Sequence, residues 1–236
     1  MKGMETRSEV DRLQEVYRGY AARGYAQSKW SSTNKGNQAI WDECKLKLRA
    51  LLWDAGYFPF HSRRVLDVGC GTGDRLAAFQ DFGARPENLF GVDLIPERIH
   101  SARSNHPGIA FELGNAEVLP FADGMFDLVT VFTVFTSILD RNMAANVCRE
   151  IMRVLASGGG VVWYDVRMCN PMNRHVHGIS RKQIQNLFPH FKLRLETVSL
   201  LPPLARRLGR LTNLLYSPLC SLPFLRSHYL GVLTKP

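Results

Sequence analysis

One run of residues constrains this chain more than any other: Val65-Leu66-Asp67-Val68-Gly69-Cys70-Gly71-Thr72-Gly73. An apolar stretch that passes through three glycines predicts a buried strand turning sharply into a helix, with no Cβ atoms between the backbone and a ligand. A dinucleotide fingerprint needs glycines spaced G-x-G-x-x-G, but Asp74 follows Gly73 and the spacing here is G-x-G-x-G. A carboxylate opening the helix suits a cationic ligand better than a pyrophosphate, which a helix N-terminus would otherwise attract.

Around this run, short β-rich segments alternate with helical periodicity. Strands are expected at 65–68, 89–93, 109–113, 126–132 and 160–164, with helices at 74–82, 96–105 and 140–155 between them. The last of these helices places Ala144, Val147, Cys148, Ile151 and Leu155 on one face. This order predicts an α/β fold: a Rossmann-like, doubly wound, seven-stranded and mostly parallel sheet. Right-handed crossovers put the loops that follow the strands at one edge of that sheet.

A chain of 236 residues suits one such domain with appendages. Residues 1–62 read as an N-terminal helical cap or lid. Trp41, Cys44, Leu48, Leu51, Leu52 and Ala55 form one apolar helix face ending at Gly56. Ahead of it, Tyr17, Tyr20, Tyr25 and Trp30 lie in a polar, glycine-containing stretch that either covers the core or closes over a ligand. Residues 63–236 form the ligand-binding domain. Its later part is expected to run through an irregular loop at 165–179, a helix at 180–188 and a strand at 191–200. A basic, proline- and leucine-rich insertion at 202–226 then precedes the last strand at 228–233.

The five cysteines are scattered, with no C-x-x-C pair, which fits neither a disulfide framework nor a zinc site and implies a reducing, cytoplasmic setting. No apolar run reaches the ~18 residues of a membrane span, and the first residues are charged rather than apolar. The formal charge of +9 is concentrated near the end of the chain, where Arg206, Arg207 and Arg210 interrupt the leucines of 202–226. Such a segment meets nucleic acid, anionic lipid or a phosphorylated substrate, or is merely solvated, the commoner case. Prolines interrupt any long amphipathic helix there, which favours a packed cap or a homodimer contact over a peripheral membrane contact.

Asp93 ends the second expected strand, twenty residues after Gly73, where a carboxylate can accept from both hydroxyls of a ribose. Asn115, after the third strand, offers an acceptor for an adenine amino group. Each element alone has an ordinary explanation as a turn residue; their order along the chain points to an adenosine ligand. Taken together, residues 63–166 closely resemble the class I S-adenosylmethionine-dependent methyltransferases, in particular the small-molecule group typified by enzymes of quinone and lipid methylation. Leu119-Pro120-Phe121 with Phe126-Asp127-Leu128-Val129 resembles that family's fourth-strand motif, and Arg153-Val154-Leu155 before Gly158-Gly159 its approach to the fifth strand.

The resemblance implies S-adenosyl-L-methionine as cofactor and no metal, with Asp67, Gly69, Gly71 and Gly73 on its methionine side and Asp93 on its ribose. Cys70, Leu94, Asn115, Ala116 and Phe132 complete the implied cofactor-binding set. Asn115 stands where aspartate is usual and Ser157 where proline is common; neither change removes an acceptor the cofactor needs. Asn170-Pro171 to Ser180 and the ending His228-Tyr229-Leu230 further resemble bacterial methyltransferases associated with surface glycans.

Methyl transfer is an in-line displacement, so the protein chiefly aligns acceptor, methyl and sulfur in a dry pocket. The loops after the fourth and fifth strands nominate Thr133, Thr136, Tyr164, Asp165, Arg167, His175 and His177 as facing the methyl group. For a hydroxyl acceptor a base is needed, and His175 or His177 is preferred to Asp165 because histidine titrates near neutrality. Arg167 and Arg174 are candidates to clamp a carboxylate or phosphate of the acceptor. The expected activity is O-methylation of a small-molecule, glycan-linked or lipid-linked acceptor. The alternatives are an RNA methyltransferase, which the lack of aromatic residues among the basic ones disfavours, and a non-catalytic protein retaining the fold.

Overall fold

The computed structural model describes residues 8–25, 28–169 and 173–236. Seven strands form one sheet: β1 (Val65–Val68), β2 (Leu89–Asp93), β3 (Ala110–Leu113), β4 (Phe126–Phe132), β5 (Leu155–Val166), β6 (Lys192–Leu200) and β7 (Arg226–Thr234). Their spatial order is β3-β2-β1-β4-β5-β7-β6. The first five pair in parallel, and β7 lies antiparallel between β5 and β6. The strand order reverses at β1, so the β1–β4 border is the topological switch point where a crevice opens beyond the carboxyl ends of the strands.

β1 is buried throughout, and its alternate residues feed two cores on opposite faces of the sheet. On one face, Leu66 and Val68 pack with α5 (Arg141–Val154) and α6 (Arg181–Leu187) through Val147, Ile151 and Ile184. On the other, Val65 packs with α2 (Lys35–Asp54), α3 (Asp74–Ala77) and α4 (Pro96–Asn105) through Leu48, Leu52, Leu76 and Ile99. Among the described residues no helix is long and apolar enough to cross a membrane.

Several expected boundaries move for local reasons. The helix expected at 74–82 is α3 for one turn and then a 3₁₀ helix, Ala78–Phe82, which ends at left-handed Gly83. β5 starts at Leu155 and runs to Val166, so Asp165 sits in a strand rather than a loop. Leu155 leaves the helix face to which it was assigned, and the α5 stripe is Met143, Val147, Cys148, Ile151 and Val154. Ala55 follows α2 as its C-cap and is exposed, not part of the apolar face. α5 begins at the cap Asp140, whose carboxylate accepts from the Met143 amide, and Lys235 Nζ donates to Met152 and Leu155 carbonyls at its other end.

The segment between β6 and β7 folds into α7 (Pro202–Arg207), a 3₁₀ turn at Gly209–Leu211, and α8 (Thr212–Ser221) with Pro218 inside it. Both helices pack on the first half of α2, around a small core of Leu200, Ala205, Tyr216 and Cys220. At its polar edge Glu43 of α2 accepts from the Ser199 amide at 3.1 Å and the Tyr216 hydroxyl at 2.7 Å, tying α2, β6 and α8 together. At the chain's start, α1 (Glu9–Ala22) lies over the end of β4: Arg12 bonds to the Ser137 carbonyl, Tyr17 to the Ser137 hydroxyl, and Glu9 accepts from the Leu139 amide.

Candidate active site

A single large cavity of about 1380 Å³ opens at the carboxyl ends of β1 to β5, beneath α1 and beside α7. Ligand sites commonly span ~300–1,000 Å³. This one therefore has room for more than one small molecule.

The glycine loop forms one wall. Gly69, Gly71 and Gly73 all have positive φ, the left-handed region that favours glycine. A Cβ on Gly69 would stand 2.8 Å from Val134 Cγ2, and one on Gly73 would stand 2.6 Å from Phe111 Cζ. The loop is held to the next strand by Asp93, whose two carboxylate oxygens accept from the Gly71 amide at 2.8 Å and the Ile95 amide at 2.9 Å. Each oxygen keeps a further lone pair. Asp93 is only 5% exposed, yet it belongs to the cavity wall, and Arg98 Nη1 stands 3.9 Å from it.

The cofactor-binding residues expected from sequence divide between wall and support. Gly69, Asp93, Leu94, Asn115, Ala116 and Phe132 line the cavity. Asp67, Cys70, Gly71 and Gly73 lie behind it. Asp67 is buried and accepts from Thr130 Oγ1 at 2.6 Å; burial, followed by the repulsion of Asp93, pushes its carboxyl up to about 7 against the pull of that bond. Asn115 is partly engaged: its Oδ1 already accepts from the Glu117 amide and its Nδ2 donates to Glu117. Asp74 does not face the cavity, because its carboxylate bonds to Thr72 Oγ1 and His106 Nε2 at the outside of the turn. The expectation that it meets a cationic ligand is therefore corrected.

The candidate bases also separate. His175 lines the cavity. His177 does not: its amide donates to the Thr136 carbonyl and its buried Nδ1 has no partner among the described residues, while burial lowers its pKa. Asp165 is fully buried outside the cavity wall and accepts from the Thr136 and Val166 amides, a structural role that joins β5 to the turn after β4. Burial pushes its carboxyl up to about 7 despite those bonds. Thr133, Thr136 and Tyr164 line the cavity as expected. Of the two candidate clamps Arg174 lines it, whereas Arg167 turns away to the carbonyls of Arg226 and Pro223. Asn170 and Pro171 lie outside the described residues.

His228, given no site role from the sequence, belongs to the same wall. The antiparallel insertion of β7 brings it beside the end of β5, opposite Val166. Its Nδ1 lies 2.8 Å from Ser227 Oγ, and that hydroxyl gives its one proton to the Ser199 carbonyl at 3.0 Å. In that arrangement Ser227 accepts from Nδ1–H and Nε2 carries the lone pair, a tautomer assigned from the hydrogen-bond pattern. Burial lowers the pKa of His228 to about 4, so the ring is neutral near pH 7. The antiparallel pairing of β7 with β5 carries it to the cavity, a long-range register that no local sequence pattern specifies.

This strand order, with a G-x-G-x-G turn and an acid at the end of β2, is that of the class I S-adenosylmethionine-dependent methyltransferase fold. Residues 65–159 match the family described as methyltransferase domain. Among characterised proteins, the chain is 35% identical over 105 residues to the ubiquinone/menaquinone biosynthesis C-methyltransferase of Geobacter sp. strain M21, covering 42% of this chain and 43% of that protein. It is 30% identical over 135 residues to the phthiotriol/phenolphthiotriol dimycocerosates methyltransferase of Mycobacterium leprae, covering 53% and 46%. The chain thus spans less than half the length of these relatives. The fold is shared with an S-adenosylmethionine-dependent methyltransferase of Mesorhizobium loti, at a TM-score of 0.59, 20% identity, and coverage of 80% of this chain and 96% of that one.

Proposed function

We propose that the protein is an S-adenosylmethionine-dependent methyltransferase acting on a hydroxyl of a small-molecule, glycan-linked or lipid-linked acceptor. The observation that carries this reading is one cavity bounded by the glycine loop and Asp93 on one wall and by the neutral imidazole of His228 on another. The residues present fit the cofactor. Asp93 keeps lone pairs for ribose hydroxyls, Gly69 removes the Cβ that would crowd the loop, and Leu94, Ala116 and Phe132 supply apolar surface for a nucleoside.

When bound, S-adenosylmethionine supplies a methyl group on a sulfonium, an electrophile that needs neither metal nor acid. The chain's task is to bring an acceptor oxygen into line and to take its proton. His228 Nε2 is our candidate acceptor of that proton, its ring held by Ser227 and Tyr164, although the burial that lowers its pKa to about 4 also weakens it as a base. This displaces His177 and Asp165 from the role and leaves His175 as the competitor on the same cavity. The exposed Leu211, Leu214, Leu222 and Phe224 of the segment between β6 and β7, beside Arg207 and Arg210, support a peripheral contact with membrane surfaces.

The test is calorimetric titration with S-adenosylmethionine and S-adenosylhomocysteine, with NAD as control. Binding of the first two alone is expected, followed by transfer of a labelled methyl group to a hydroxylated acceptor. Binding of neither by the folded protein overturns the reading.

A further inference from the structure

The cavity wall carries a charge pattern that the cofactor leaves unexplained. Arg23 after α1, Lys29 before α2, Arg174 after β5, and Arg206 and Arg207 of α7 all line it. Among the described residues, Asp93 is the one carboxylate on the cavity wall. None of these cations is within ion-pair distance of a described carboxylate. Arg23, Lys29, Arg174 and Arg207 are exposed and Arg206 is half-buried, and like charges lining one cavity repel one another unless an anion joins them.

Arg206 is the most committed member. Its Nε donates to Asn37 Oδ1 at 3.0 Å, and its own carbonyl accepts from Asn34 Nδ2 at 3.4 Å, so the first turn of α2 fixes its place. A guanidinium has five N–H donors, and a single neutral amide oxygen satisfies one of them. Burial lowers its pKa, the mark of a charge held partly out of water without a counter-charge.

S-adenosylmethionine does not neutralise this group, because its sulfonium and ammonium outnumber its carboxylate and it adds positive charge. The counter-charge must come with the acceptor. A single carboxylate matches one arginine, whereas cations arriving from separate segments match an oxyanion with oxygens pointing in several directions. Resting on the methyl-transfer reading above, we infer that the acceptor carries a phosphate or diphosphate ester held among Arg23, Lys29, Arg174, Arg206 and Arg207. On the same cavity wall, Tyr20 and Tyr25 stack at 5.1 Å and Trp30 stands edge-on to Tyr20 at 5.3 Å, and Pro202 and Pro203 of α7 line it too. The body attached to the phosphate therefore meets an aromatic and aliphatic surface, which suits a sugar ring or a prenyl chain.

The experiment is calorimetric titration of the full chain with pyrophosphate at constant ionic strength, alongside S-adenosylhomocysteine. Pyrophosphate should bind the unaltered protein, and Arg206→Gln and Arg174→Gln should each weaken it at least about tenfold. Arg85→Gln, an exposed surface change away from the cavity, should leave it as it was. Should Arg206→Gln fail to fold, Arg174→Gln and Lys29→Gln probe the same anion from other segments. Equal affinity in all variants, or no pyrophosphate binding in a protein that binds S-adenosylhomocysteine, overturns the inference and leaves the methyl-transfer reading intact. Pyrophosphate binding without S-adenosylhomocysteine binding overturns both, since the anion then belongs to no methyl acceptor. Glucose 1-phosphate and farnesyl phosphate, tested as competitors, separate the sources: displacement by the first supports a glycan-side acceptor and by the second a lipid-side one. Displacement by neither rejects a phosphate ester.

Discussion

The imidazole of His228 lies flat on the phenol ring of Tyr164, with ring centroids 4.6 Å apart and planes 8° from parallel. Tyr164 pairs across the β5–β7 ladder with Leu230, so His228 is its diagonal neighbour on the same face of the sheet. The Tyr164 hydroxyl bonds to Ser199 Oγ at 2.9 Å, and Ser227 Oγ bonds to the Ser199 carbonyl, so one residue of β6 anchors both halves of the stack. A ring held by a face, an edge and a tautomer-setting partner is positioned to accept a proton at one defined atom.

His228→Gln should therefore lower turnover by ~10²- to 10⁴-fold, the usual contribution of a general base, while S-adenosylhomocysteine affinity stays within about twofold. Steady-state kinetics beside calorimetry separates the two quantities. A greater loss on His175→Ala than on His228→Gln would move the base to the loop after β5.

The same burial makes His228 an acid-sensitive contribution to stability, opposed by Asp67 and Asp165, whose raised carboxyl pKa values favour the folded state as pH falls. The pKa of His228 is depressed from its ordinary 6.5 to about 4, so between those values the unfolded chain binds a proton that the folded one refuses. This stability is present above pH 6.5 and is lost as pH falls toward 4, by about 3 kcal/mol at ~1.4 kcal/mol per pKa unit. Comparing urea unfolding at pH 7 and at pH 4, the loss due to His228 should disappear in His228→Gln, shifting the change in stability by roughly this amount relative to the native protein. An unchanged loss would mean that the ring is already solvated in the native state.

Asp93→Ala removes the acceptor of two loop amides as well as the carboxylate offered to a ligand. S-adenosylhomocysteine binding should weaken by ~1.5–3 kcal/mol, the range for hydrogen bonds to a charged group, which is roughly a 10- to 150-fold rise in Kd. Asp93→Asn, which keeps one acceptor oxygen, should fall between the variant and the native protein. Affinity equal to native in Asp93→Ala would remove this residue from the cofactor site.

The parallel part of the sheet was legible because it is written locally. β1 and β2 are apolar runs ended by glycine and by a carboxylate, and the positions of Gly69 and Asp93 follow from that punctuation alone. The acceptor side was legible only in part, for the opposite reason: Arg174 is nominated by its place after the fifth strand, but Lys29, Arg206 and His228 are far apart in sequence and join it only through the antiparallel return of β7 and the docking of α7 on α2. Asp165 and His177 misled in the same way. Both are polar residues beside an expected loop, but the extension of β5 buries the first, and the backbone bonds of 177 to Thr136 turn the second away from the cavity.

Glu43 tests whether that docking depends on one buried charge. Its side chain is 16% exposed; it accepts from the Ser199 amide and the Tyr216 hydroxyl, with Cys220 Sγ and Lys47 Nζ also beside it. Ser199 adopts a positive φ of 65°, an uncommon conformation for a residue with a Cβ, and the bond from its amide to Glu43 helps to hold it there. Glu43→Ala would leave the Ser199 amide and the Tyr216 hydroxyl buried without that acceptor, at ~1–3 kcal/mol for each unsatisfied group. The expected outcome is a loss of about 3 kcal/mol in urea unfolding. Because Ser199 also carries the contacts of Tyr164 and Ser227, the variant should in addition lose turnover at temperatures where it remains folded. A stability loss with turnover unchanged would show that the α2–α8 contact supports the fold without steadying the His228 ring.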